Sequence, residues 1–216
     1  MAERRRGRIS KEGDKFYMQE TGSSSQNGLY ERCLNGARTA KDEGNAALKD
    51  GKLRAAAFSY KKANLYLAEY IHDNNKPAGE GLVNALCKQR DSARCSLSPE
   101  RFAKLMELYA VVQNNLALVN LRLGRYPEGV RCATAVLSIP EQTTNTKALL
   151  RRASCNIHLG NLEKAEIDLD AVERHSQLTG VGPVDPTVIT LRAEIATAKK
   201  EAERKQREMC KRMFAS

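Results

Sequence analysis

Tryptophan is absent from this 216-residue chain, and aromatic residues make up only 5% of it. That scarcity, beside an abundance of Ala, Leu, Lys, Arg and Glu, disfavours a strand-rich fold and predicts helix throughout. No apolar run approaches the length of a membrane span, and no leader pattern of charge, apolar stretch and small residues is present. A soluble protein without a membrane partner is therefore expected, cytoplasmic, with the nucleus as the alternative. The six cysteines (Cys33, Cys87, Cys95, Cys132, Cys155, Cys210) contain no CxxC pair, and His72, His158 and His175 stand apart. These spacings argue against a zinc site or a disulfide framework, so neither metal nor cofactor is expected. Also missing are a phosphate-cradling P-loop, HExxH and GxSxG. His158 follows Cys155 by three residues, but nothing nearby would orient the ring or hold an oxyanion, so packing is the expected role of both. No enzyme is expected.

What the chain does have is positive charge, formally +10. Residues 1–28 contribute +2 and residues 187–216 contribute +4, leaving +4 for the middle. The excess is spread out rather than gathered into a stripe, a poor fit to nucleic acid. Residues 1–27 are polar, contain Ser and Gly, and lack periodicity, so they are expected to form a disordered tail. Its RRRGR suits an import signal or a polyanion contact, although a solvated tail is the plainer expectation.

From Leu29 on, helical periodicity and internal repetition predict the fold. LKDGKLRAAAFSY is echoed by LRLGRYPEGVRCA and by IHLGNLEKAEIDL. Each places an apolar residue before a glycine (Gly51, Gly124, Gly160), where a left-handed backbone can end a helix. Five positions later stands a small residue, Ala56, Gly129 or Ala165, where a partner helix can approach closely. Gly124 and Gly160 are 36 residues apart, near the roughly 34-residue period of tetratricopeptide (TPR) helix pairs. Gly51 and Gly124 are 73 apart, which predicts an elongated second helix (53–73), a loop, and an elongated third helix opened by Ser98 and Pro99. A breaker, TGVGPVDP, precedes a last helix over about 187–213. Its seam Leu191, Ile195, Ala198, Ala202 should cover the final repeat.

The expected architecture is all-α: three TPR helix pairs in a right-handed superhelical stack plus an extended C-terminal capping helix, seven helices in all. The expected boundaries are a tail at 1–27, a three-repeat domain at 28–183 and a capping helix with a basic end at 184–216. Within the domain, repeat 1 spans about 36–75, an insertion about 74–98, repeat 2 about 99–140 and repeat 3 about 143–177.

KDEGNAALKDGK, NLALVNLRLGRY, KALLRRASCNIHLG and KQREMCKRMF together resemble the TPR domains of large immunophilins and related co-chaperones, over roughly residues 36–214. The residues before Leu29 are too few for the prolyl isomerase domain of that family. The resemblance implies a two-carboxylate clamp for the free C-terminus of heat-shock protein 90 or heat-shock protein 70, both ending in Glu-Glu-Val-Asp. Matched residue by residue, the clamp is Lys41 and Asn45, then Asn115, then Lys147 and Arg151. Leu48, Leu118 and Arg122 are expected to line the groove beside it. The physical chemistry agrees. Lys147 and Arg151, like charges at i,i+4, mildly oppose each other until an anion sits between them. Lys and Arg give charge-assisted hydrogen bonds to carboxylates, and asparagine amides add donors without repulsion.

The expected function is thus a protein-interaction module, a co-chaperone or adaptor. The competing expectation is a polyanion- or RNA-binding helical repeat using the basic tail and last helix, weakened by the lack of stacking aromatics there. In the last helix Met209, Met213 and Phe214 follow a basic stretch similar to a calmodulin target, but Lys205 and Gln206 interrupt the apolar seam, which favours a capping or protruding helix.

Overall fold

A computed structural model describes residues 12–68, 70–71, 97–180 and 185–214, with side chains from Asn27 onward. Among these residues the chain is all-α, with seven helices: α1 (Glu12–Lys49), α2 (Leu53–Leu67), α3 (Pro99–Arg122), α4 (Tyr126–Leu137), α5 (Thr146–His158), α6 (Leu162–Thr179) and α7 (Pro186–Phe214). A single 3-10 turn, Pro140–Gln142, links α4 to α5.

The three repeated glycines end α1, α3 and α5 with positive φ: 73° at Gly51, 70° at Gly124 and 77° at Gly160. Each turn closes identically. The glycine N–H donates three residues back, and the next N–H donates five residues back, as in Lys52 N to Ala47 O at 2.8 Å, Arg125 N to Asn120 O at 2.8 Å and Asn161 N to Asn156 O at 2.9 Å. This double closure satisfies the last carbonyls of the helix and aims the next helix back antiparallel. The small residues that follow are all buried, Ala56, Gly129 and Ala165 alike.

Ser98 caps α3 as expected, its Oγ accepting from Arg101 N at 3.4 Å with Pro99 at the first position. Pair packs against pair: α1 on α2, α2 on α3, α3 on α4, α4 on α5 and α5 on α6. One apolar cluster runs from Tyr30 through Tyr60, Leu105 and Val119 to Ala148. A second joins Leu149, Ala153, Ala165, Leu169 and Val172 to Val188, Leu191 and Ile195 of α7. The start of α7 thus seals the last repeat. Its predicted seam fades along the helix, since Ala198 is half-buried and Ala202 exposed, and no residue from 199 to 214 is buried.

Two boundaries differ from expectation. The tail expected over 1–27 is helical from Glu12; residues 1–11 lie outside the described residues. No proline interrupts Glu12–Asn27, and a helix already nucleated by its packed half extends at one hydrogen bond per residue, even through costly glycines. At the other boundary α2 stops at Leu67 rather than near 73. Tyr70 N and Ile71 N both donate to Leu67 O at 3.0 Å, tightening the chain so that the Tyr70 ring is buried edge-on to Tyr30, centroids 6.3 Å apart. The predicted insertion at 74–98 lies almost wholly outside the described residues.

Gly44 of α1 lies directly on the Tyr60 ring of α2; a Cβ there would stand 2.6 Å from Tyr60 Cε1. Tyr60 is fully buried and its ring cannot retreat. Gly44→Ala gains roughly 1 kcal/mol of helix propensity but overpacks a core, a cost of about 1–3 kcal/mol. A lower thermal midpoint than wild type is the expected result. An unchanged or raised midpoint would mean that the two helices can separate freely.

Candidate functional site

One side of the stack is built from α1, α3 and α5; α1 touches α3, and α3 touches α5. Asn45 of α1 and Asn115 of α3, 70 residues apart in sequence, meet directly, Asn115 Nδ2 donating to Asn45 Oδ1 at 3.1 Å. Tyr60 of α2 reaches the same oxygen from below, its hydroxyl donating at 2.8 Å. From α5, Arg151 Nη1 donates to the main-chain oxygen of Asn114 at 2.6 Å, next to Asn115. Four helices therefore deliver Asn45, Tyr60, Asn115 and Arg151 to one place.

The electrostatics of that place are unbalanced. Burial lowers the pKa of Arg151 from the ordinary arginine value, and the charge of Arg122 lowers it further, opposed by Tyr60. Arginine remains protonated under any such shift, so the lowering measures an uncompensated cation. Burial raises the pKa of Tyr60, while a hydrogen bond from Asn115 and the charge of Arg151 act the other way. Among the described residues no carboxylate forms an ion pair with Arg151, Arg122 or Lys147. By contrast Arg152, one residue along, is fully engaged with Asp168.

The remaining predicted residues stand around this centre. Lys41, one helical turn before Asn45, is half-buried and pairs with its neighbour Asp42 at 3.1 Å. An exposed pair of this kind is worth roughly 0–1 kcal/mol and leaves Lys41 free to exchange partners. Lys147, one turn before Arg151, is exposed. No hydrogen bond among the described residues ties either lysine to the asparagines, so Asn45 and Asn115 in contact, with Arg151 on the adjoining main chain, form the centre and the two lysines its margins. Leu48 and Leu118 are half-buried, Leu48 against the core, and Arg122 is exposed beside Arg151.

Two contributors were missed in the sequence. Tyr60 looked like core, yet a lone hydroxyl in a stripe of alanines (Ala56, Ala57, Ala63) signals that a buried phenol needs a partner. Asn114 is buried, its Nδ2 donating to Asn145 Oδ1 at 3.4 Å, and its side-chain oxygen has no hydrogen-bond partner among the described residues. Asn145 is in turn the cap of α5, accepting from Ala148 N at 3.0 Å, so α3 holds the start of the helix that carries Lys147 and Arg151.

Cys155 and His158 are each engaged in packing. Burial pushes the Cys155 thiol up to about 11, far from a thiolate, and the His158 ring stacks on Tyr126 with centroids 4.4 Å apart. No group of three or more metal-ligating side chains occurs among the described residues, nor any helix long and apolar enough to cross a membrane.

No family model matches the chain. It is 24% identical over 193 residues to peptidyl-prolyl cis-trans isomerase FKBP42 of Arabidopsis thaliana, a match covering 89% of this chain and 45% of that protein. It is 29% identical over 144 residues to tetratricopeptide repeat protein 9C of Xenopus tropicalis, covering 66% of this chain and 75% of that one. The chain thus spans less than half of the Arabidopsis relative. Among solved structures, the C-terminal TPR-containing domain of a Plasmodium falciparum FK506-binding protein superposes with a TM-score of 0.56 at 20% identity, over 82% of this chain and 95% of that domain. With its three glycine-closed helix pairs and sealing helix, the chain has the fold of a TPR-containing domain.

Proposed function

We propose that this chain is a non-enzymatic co-chaperone or adaptor whose concave groove grips the free C-terminal carboxylate of an acidic peptide, that of heat-shock protein 90 or heat-shock protein 70. The observation that carries this is the meeting of Asn45, Asn115 and a half-buried Arg151 that lacks an acidic partner among the described residues. A desolvated cation beside a second cation is unfavourable until an anion arrives, and the anion gains charge-assisted hydrogen bonds at fixed positions. A C-terminal aspartate carries two carboxylates on one residue. One suits the inner cluster and the other the marginal lysines, Lys41 and Lys147. Positive charge along the groove should also steer acidic tails toward it. The name of one relative, tetratricopeptide repeat protein 9C, agrees at the coarser level of a helical-repeat domain.

A labelled Met-Glu-Glu-Val-Asp peptide, as free acid and as C-terminal amide, tests this by fluorescence polarisation. The free acid should bind with a Kd of roughly 1 μM, and the amide at least tenfold more weakly. Equal binding of both forms would reduce the site to a general attraction for acidic chains. Absence of binding would leave the groove without this ligand.

A further inference from the structure

We infer that Tyr60 is a positioning residue for ligand binding: its buried hydroxyl locks the Asn45 amide so that Asn45 offers its Nδ2 donor, and not its oxygen, to the ligand carboxylate. This rests on the clamp proposed above and adds to it a residue on the second helix, beneath the groove.

An asparagine amide can be turned over by 180° about its last bond, exchanging a donor for an acceptor. For a site that binds an anion, the turned form would place an oxygen against the ligand and repel it. Here the oxygen of Asn45 is committed twice, to the Tyr60 hydroxyl at 2.8 Å and to Asn115 Nδ2 at 3.1 Å. Turning the amide over would set two donors against each other at Asn115 and leave the buried phenol proton without its acceptor. The phenol itself has little freedom. Its ring is fully buried and clamped against Gly44. The charge of Arg151 also acts on this hydroxyl. The same hydroxyl therefore orders a donor on α1. Both bonds to the Asn45 oxygen are made within the chain itself, so less ordering remains to be done when the ligand binds.

Tyr60→Phe removes one oxygen and keeps the ring. Free-acid Met-Glu-Glu-Val-Asp binding should weaken by roughly two- to tenfold, the worth of one such hydrogen bond. The same substitution placed on Asn45→Ala should cause no further loss, because the group being positioned is gone. A Tyr60→Phe chain that binds like wild type would overturn the inference. So would a loss that persists in full in the Asn45→Ala background, since that would mark a merely structural role. Both outcomes are distinct from failure of the clamp itself, which would show in wild type as indifference between acid and amide. If Tyr60→Phe does not fold, the wild-type chain still decides. The Asn45 side-chain NH2 resonances should shift on titration with the free acid and stay still with the amide, and unmoved resonances under the free acid would end the proposal.

Discussion

Arg151→Ala is expected to weaken free-acid peptide binding by roughly 30- to 100-fold, about 2–3 kcal/mol, while the helical signal stays that of the wild type. Its guanidinium is the most desolvated cation of the groove, lowered in pKa by burial before any neighbour acts. A carboxylate that reaches it meets little competing water, so the attraction is strong. The free protein loses little by the substitution. A hydrogen bond to Asn114 O disappears, but so do the burial of a charge and its repulsion from Arg122. Lys147→Ala is the internal comparison. Lys147 is exposed, and a solvent-screened pair is worth roughly 0.2–1 kcal/mol. The ranking of Arg151 well above Lys147 thus follows from burial, since both carry the same formal charge. Wild-type affinity from Arg151→Ala would remove Arg151 from the site. A larger loss from Lys147→Ala would mean that the ligand sits at the groove's edge.

The parts of this molecule legible in its sequence are those governed by local backbone chemistry. Gly51, Gly124 and Gly160 announce helix ends because few other residues tolerate positive φ, and all three adopt it. Ser98 and Pro99 announce a helix start for equally local reasons. Ala56, Gly129 and Ala165 were legible as close-approach points because their spacing from the glycines repeats. Tertiary effects were harder to read. The early start of α1 at Glu12 depends on a nucleus farther along the helix, and the end of α2 at Leu67 on the burial of Tyr70 against Tyr30.

The candidate site divides the same way. The family resemblance singled out Asn45, Asn115 and Arg151, and the geometry brings Asn45 to Asn115 and Arg151 to the main chain of the neighbouring Asn114. It said nothing of Tyr60, whose part depends on the direction of one hydroxyl in a packed core. The Ala202 end of the α7 seam was over-read, since apolar periodicity cannot show where the partner helix stops.

Asp168→Ala should lower the thermal midpoint by roughly 6–12 °C, the equivalent of about 3 kcal/mol in a chain of this size. Asp168 is buried on α6 and receives a two-pronged contact from Arg152 of α5, Nε to Oδ2 at 2.9 Å and Nη2 to Oδ1 at 2.6 Å. Arg152 Nη1 also donates to Thr134 Oγ1 of α4 at 3.4 Å, so one guanidinium ties three helices. Truncating Asp168 leaves a partly buried cation without its counter-charge, and this stranding, more than the lost bond, makes the effect large. The partial exposure of Arg152 holds the cost at the lower end of the range for buried pairs. Replacing both members with apolar residues, Arg152→Met with Asp168→Leu, should recover much of the loss, because no charge then remains stranded. The consequence reaches the groove. Lys147 and Arg151 ride on the helix that this contact pins to α6, so Asp168→Ala should weaken peptide binding as temperature rises, before the whole chain melts. A midpoint within about 1 °C of wild type would show that α5 is held by its apolar face alone. Arg151 and Arg152, about 100° apart around one helix, then divide the work. Arg152 turns to Asp168 and Thr134 and ties the stack together. Arg151 turns to α3 without a carboxylate partner among the described residues, as the proposed function requires.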